Sequence, residues 1–219
     1  MGDRGLGQDR LILLNVIVTE DTDPARNLTL EESLLREVDA GTRGDTFRLW
    51  INDPCLVAGP RRSARYGWFR EDVAAQLGVP VFSRESGGGA VYHDHGNVNW
   101  SFYLRREEGF VGVTKLFRPF AERIAAVVTT LGIAASFALP NRIDAAGLKI
   151  SGLAARAIHK AALVHGTLLV ATDLERLNAL CLFPPGCPAV VNLRDFAPGI
   201  TADAARSSLA AAALSWSES

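Results

Sequence analysis

Residues 83–102 read SRESGGGAVYHDHGNVNWSF: three consecutive glycines, then Ala-Val-Tyr and a His-Asp pair, set between two segments with strand character. Glycine costs backbone entropy, so a triplet at a sheet edge implies a tight turn or the close approach of a ligand. Gly87, Gly88 and Gly89 do not form Gly-x-Gly-x-x-Gly, and no Gly-Lys-Ser/Thr follows, so the dinucleotide fingerprint and the P-loop are both excluded. Successive amides in such a turn can still cradle a phosphate or carboxylate, and Arg84 adds a cation just before them.

On either side of the loop, VPVFS reads as a strand running in and NVNWSFYL as a strand running out, with Val98, Trp100, Phe102 and Leu104 on one face. Upstream, TFRLWIND alternates Phe47, Leu49 and Ile51 against Arg48, Trp50 and Asn52, and CLVAG follows Pro54, predicting that these two segments pair. LILLNVIV, residues 11 to 18, reads as a buried strand. TLEESLLREVDAG predicts a helix that starts with a Thr29/Glu32 capping box, carries Leu30, Leu34, Leu35 and Val38 on one face, and stops at Gly41. REDVAAQLG predicts a short helix ending at Gly78. Helical spacing of Leu116, Phe120, Ile124 and Val127 or Val128 predicts a long helix from about Thr114 to Leu131. GLKISGLAAR and HGTLLVAT read as strands separated by a polar stretch at His159 and Lys160. DLERLNAL starts a helix at Asp173, and TADAARSSLAAAALSW closes the chain as another. With no internal repeat and no linker, the pattern implies one compact α+β unit with a mixed or antiparallel sheet flanked by helices.

The 219 residues are 48% hydrophobic and 21% charged, enough to bury a proper core in a single domain, 1–219. A net charge of −1 with no long Lys/Arg block gives no ground for nucleic-acid capture. PRRSARYGWFR, with Arg61, Arg62, Arg65 and Arg70, reads as a solvated basic face or a docking patch. The first apolar run is too short to span a membrane, and Leu6 breaks the myristoylation pattern. Cys55, Cys181 and Cys187, without a Cys-x-x-Cys, fit reduced thiols in a cytoplasm, and a structural metal site is not expected.

Lys149, in AAGLKISG, is the second focus. Strand alternation points it opposite Leu148 and Ile150, to solvent or to a cleft, and Gly147 and Gly152 on either side permit close approach of a ligand or another backbone. In a cleft its ammonium would stabilise an anionic reaction centre.

SRESGGGAVYHDHGNVNWSF, GLKISGLAAR and HGTLLV, in this order, together with NLTLEESLL and FRLWINDPCLVAGP, resemble the lipoate–protein ligase A family of the biotin/lipoate protein ligase superfamily. The resemblance covers roughly residues 26 to 193 and implies a two-layer domain of the biotin-ligase and class II synthetase type. It further implies ATP-dependent conversion of lipoate to lipoyl-AMP and transfer to a lysine of a lipoyl-accepting domain, with Mg²⁺ accompanying ATP. By similarity, Lys149 would be catalytic, touching phosphate and lipoyl carbonyl. Arg84, Gly89, Ala90, Val91 and Tyr92 would contact the nucleotide, and Gly87, Gly88, His165, Gly166 and Thr167 would line the acyl slot. His93, Asp94 and Asn141 would support the site, although the His-Asp pair could equally order the loop by hydrogen bonds alone.

The sequence departs from the family pattern in three places. Ser83 replaces the first of two arginines before the loop. Arg142 follows Asn141 where an aspartate is usual, removing a carboxylate that could serve magnesium, with Asp144 two residues on. The extra C-terminal domain of the larger ligases has no counterpart, which points to a separate accessory subunit. An octanoyl or lipoyl transferase working through a thioester on Cys181 or Cys187, and a non-catalytic lipoate- or AMP-binding scaffold, are the alternatives, with biotin ligase a more distant third.

Overall fold

The computed structural model describes residues 14–60, 68–106 and 113–216. Seven strands form one sheet: β1 (Asn15–Val18), β2 (Thr46–Trp50), β6 (Asn97–Arg105), β10 (Ala161–Leu169), β9 (Leu148–Ala157), β8 (Arg142–Ala145) and β7 (Ala135–Ala138), in that spatial order. β1 runs parallel to β2 and every other pairing is antiparallel, so the sheet is mixed as expected. A smaller sheet has β3 (Cys55–Ala58) between β4 (Val81–Ser83) and β5 (Ala90–His93). The helices are α1 (Pro24–Ala40), α2 (Glu71–Gln76), α3 (Phe117–Thr130), α4 (Leu174–Leu180) and α5 (Ala202–Ser215). No helix among the described residues is long and apolar enough to cross a membrane.

Four sequence expectations need correction. The TFRLW and CLVA strands do not pair: β2 lies in the large sheet and β3 in the small one. Pro54 carries no N–H for a ladder, and the chain changes sheets there, with Asp53 N–H bonded to Thr22 O at 2.8 Å. β1 is an edge strand rather than a buried one, with Val18 40% exposed. Helix α1 starts earlier than the capping box predicts. Asp23 caps it by accepting from Arg26 N–H, Pro24 occupies the first turn, and Thr29 Oγ1 donates to Ala25 O inside the helix. The helix stops where the sequence predicts: Gly41 is left-handed at φ 76° and its amide closes on Val38 O. The helix expected from Thr114 is a 3-10 turn, Val113–Leu116, leading into α3. Arg61, Arg62 and Arg65 of the basic stretch and residues 11–13 of the first apolar run lie outside the described residues.

Helices pack against both faces of the sheet. On one side α3 and α5 pack Phe120, Ile124, Val128 and Leu209 against Phe47, Val98, Trp100, Phe102 and Val164. The Phe102 ring centre is 4.5 Å from those of Phe47 and Phe120. On the other side α1 packs Leu34, Leu35 and Val38 against Tyr103 and Leu163. It covers only part of that face. The rest, bearing Trp50, Asn99, His165 and Thr167, forms the floor of a cavity that is also lined by Val57, Val91 and His93 of the small sheet and by Gly89 just before it.

Candidate active site

The cavity has a volume of about 440 Å³. Of the residues singled out from sequence, it is lined by Arg84, Gly88, Gly89, Ala90, Val91, His93, Asn141, Lys149, His165, Gly166 and Thr167. Segments more than seventy residues apart in sequence therefore meet around one space. Tyr92, Asp94 and Gly87 do not line it. Strand alternation on β5 turns Val91 and His93 inward and Tyr92 outward, into a cluster with Leu56, Leu177 and Leu180. Asp94 accepts from Gly96 N–H and Asp173 N–H, which ties the end of β5 to the start of α4. The His-Asp pair thus divides its work: His93 reaches the cavity and Asp94 orders the chain.

Lys149 stands at the start of β9. Ala146 at φ 50° and Gly147 at φ 77° make the tight hairpin turn out of β8. Gly147 serves that turn, and nothing lies within 4 Å of where its Cβ would be. Gly152 is different: a Cβ there would sit 3.0 Å from Lys149 Nζ, so the lysine side chain folds across the bare glycine. The residue is held from outside the strand by Lys149 N–H to Ala189 O at 2.9 Å and Val191 N–H to Lys149 O at 3.0 Å. Ile150 points into the core as alternation requires. Burial pushes the Lys149 ammonium below its ordinary pKa, with the Cys187 and Cys181 thiols opposing the shift. Among the described residues Nζ makes no hydrogen bond or ion pair, and the Phe183 ring centre is 5.9 Å away.

The glycine loop is clamped from behind. Arg84 donates from Nε to Ser86 Oγ (3.0 Å), from one terminal nitrogen to Val57 O (2.8 Å), and from the other to Gly87 O (3.2 Å) and Gly89 O (2.8 Å). Four of the five guanidinium N–H groups are thereby committed, and burial lowers the Arg84 pKa to about 10. A carbonyl turned toward Arg84 turns the next N–H the opposite way across a trans peptide. The Gly88 amide accordingly faces away from the clamp. Gly88 itself has φ 100°, and a Cβ on Gly59 would lie 2.3 Å from Gly88 O, so both positions exclude larger residues.

Behind the floor runs a buried chain that the sequence reading missed. Ser86 Oγ lies 2.6 Å from His165 Nε2, His165 Nδ1 lies 2.9 Å from Glu31 Oε1, and Ser101 Oγ donates to the same oxygen at 2.8 Å. Burial raises the Glu31 pKa, but His165, Ser101 and Arg48 outweigh it and hold the carboxyl below its ordinary value. The capping-box reading had drawn attention to Glu32 instead. Period-two alternation on β6, extended to Asn97, Asn99 and Ser101, is the signal that could have marked a second buried face. Arg142 also lines the cavity, its Nε 2.9 Å from Asp144 Oδ2, and Cys187 lies in the wall while Cys181 is buried.

Residues 23–213 match the family model described as the lipoyl protein ligase A/B catalytic domain. Lipoate–protein ligase 1 of Staphylococcus aureus is 34% identical over 164 residues, 74% of this chain and 48% of that protein. Lipoate–protein ligase LplJ of Bacillus subtilis is 31% identical over 155 residues, 71% and 45%. The chain thus spans about half the length of these curated relatives. A T. acidophilum protein solved with bound lipoic acid superposes with a TM-score of 0.79 at 26% identity, covering 93% of this chain and 85% of that one. A lipoate–protein ligase A structure bound with ATP gives the same figures. The biotin protein ligase of Aquifex aeolicus shares the fold at 13% identity and a TM-score of 0.50, covering 93% of this chain and 68% of that one. On these grounds the chain belongs to the lipoyl protein ligase A/B catalytic domain family.

Proposed function

We propose that the protein activates lipoate with ATP and passes the lipoyl group to a lysine of an acceptor domain. The observation that carries this reading is the ammonium of Lys149, without an ion-pair partner among the described residues and held over Gly152 in the cavity that the glycine loop also lines. A lipoate carboxylate oxygen attacks the α-phosphorus, the bond to the β-phosphate oxygen breaks, and pyrophosphate leaves. Two anions must meet, so positive charge belongs at their junction. Lys149 supplies it, the loop amides hold phosphate oxygens, and Arg84 keeps the loop in shape. The acceptor's lysine amine then attacks the acyl carbonyl, loses a proton, and AMP departs. Burying the eight-carbon chain contributes on the order of 5 kcal/mol, at about 0.8 kcal/mol per CH₂.

Among the described residues no group of three His, Cys, Asp or Glu converges, Asp144 is engaged by Arg142, and Glu31 by His165 and Ser101. The metal would therefore arrive on the phosphates of ATP.

The test is intact mass of an apo lipoyl domain incubated with the protein, lipoate and Mg-ATP, with and without a candidate accessory polypeptide. A lipoyl gain that requires ATP supports the ligase. Modification from octanoyl carrier protein, abolished by Cys187→Ser, would replace it with a transferase; Cys187 is the thiol at the cavity wall, whereas burial pushes the Cys181 pKa up to about 12. Lipoate binding without either product would leave only a scaffold.

A further inference from the structure

Among the described residues two arginines line the cavity, and they differ in how many donors they leave open. Arg84 commits its guanidinium to the loop behind it, to Ser86, Val57, Gly87 and Gly89. Arg142 commits far less. Its Nε donates to Asp144 Oδ1 and Oδ2 at 3.0 and 2.9 Å, and one terminal nitrogen donates to Leu139 O at 2.6 Å. The other terminal nitrogen makes no hydrogen bond among the described residues, and the side chain is 26% exposed. A guanidinium can only donate, so the open edge awaits an acceptor.

Sheet register sets that edge beside Lys149. Arg142 on β8 is the cross-strand partner of Gly152 on β9, and the side chains of such partners leave one face of a sheet about 5 Å apart. Gly152 has no side chain, and Lys149 Nζ lies over it, 3.0 Å from where a Cβ would stand. The two cations therefore share one face of the hairpin. Asp144 balances part of their charge and holds the guanidinium by Nε, which leaves the terminal nitrogens as its open side. Like charges so placed repel unless an anion lies between them. Arg142 also stands close to solvent, bonded to the carbonyl of Leu139, itself 71% exposed. An anion held there has a way out.

We propose that Arg142 is a leaving-group residue, its open edge holding the β- and γ-phosphates while Lys149 holds the junction of α-phosphate and carboxylate. The inference rests on the adenylation reading of the same cavity. In that reaction the bond from the α-phosphorus to the bridging oxygen breaks, and its electron pair stays on the departing pyrophosphate. Charge therefore accumulates on the group that Arg142 contacts, and its N–H donors stabilise that charge without giving up a proton. In place of the aspartate that the family resemblance leads one to expect at this position, the chain supplies positive charge directly.

Calorimetry with inorganic pyrophosphate in EDTA, where no metal can bridge, provides the test. Wild type should bind it, Arg142→Gln should weaken binding about tenfold, and Arg142→Lys should recover part of the loss. Asp144→Asn keeps an acceptor for Nε and removes the balancing charge, so it should bind pyrophosphate at least as tightly as wild type. An ion pair that served only the fold would make Arg142→Gln and Asp144→Asn fail alike, and circular dichroism of each variant reports the fold separately. No binding by wild type, equal binding by Arg142→Gln, or the same loss in Asp144→Asn would overturn the assignment while leaving the ligase reading intact. If wild type given lipoate and Mg-ATP releases no pyrophosphate, with or without the accessory polypeptide, the ligase reading falls and takes the leaving-group role with it.

Discussion

Gly152 makes room for Lys149, and the pair is the smallest unit on which the site depends. Gly152→Ala would place a Cβ 3.0 Å from Nζ, so the ammonium must give way by a few tenths of an ångström, and pyrophosphate release should fall by up to about tenfold with little change in melting temperature. Lys149→Ala should abolish adenylate formation while circular dichroism remains native, because the side chain contributes little to packing. His93 gives a prediction in pH. Its folded pKa, about 3, lies below its ordinary 6.5, so as pH falls below about 6.5 the unfolded chain takes up the proton first. Stability should then decline by up to about 1.4 kcal/mol per pH unit. Urea midpoints between about pH 5 and 7 should show a slope in wild type that His93→Gln flattens. Lys149 was legible from its glycine-flanked strand and its family context. Ser86 and Glu31 were not, because a polar residue shows its burial only once partners distant in sequence are beside it.

Among the elements, the glycine loop depends on what stands behind it. Arg84→Lys keeps a charge but cannot reproduce a fork bonded at once to Ser86, Val57, Gly87 and Gly89. Its KM for ATP should rise at least tenfold, while an unchanged KM would show that the loop holds its own shape. Gly59→Ala should behave similarly through its collision with Gly88 O. The loop was the most legible element, since the price of three glycines is hard to explain without a ligand. The start of α1 was misread because Thr29 and Glu32 satisfy a capping pattern that Asp23 and Pro24 satisfy earlier in the chain. The pairing of β2 with β3 was misread because adjacency in sequence is a prior that a proline between strands can defeat.

Across the whole molecule, the sheet separates stability from chemistry. α3 and α5 pack on one face, and α1, the small sheet and the cavity occupy the other. Leu209→Ala on α5, at a site 1% exposed, should cost about 2–4 kcal/mol in chemical denaturation and leave KM for lipoate unchanged. The mixed sheet and its flanking helices were readable from periodicity, whereas the strand order required the fold itself. The three cysteines record the same division. Cys55 and Cys181 are buried with pKa values pushed up to about 12, while Cys187 is partly open beside Lys149 at the cavity wall. An alkylating dye should therefore mark one thiol first and more slowly once the acid is bound, giving the native chain a built-in optical gauge of occupancy without any engineered label site.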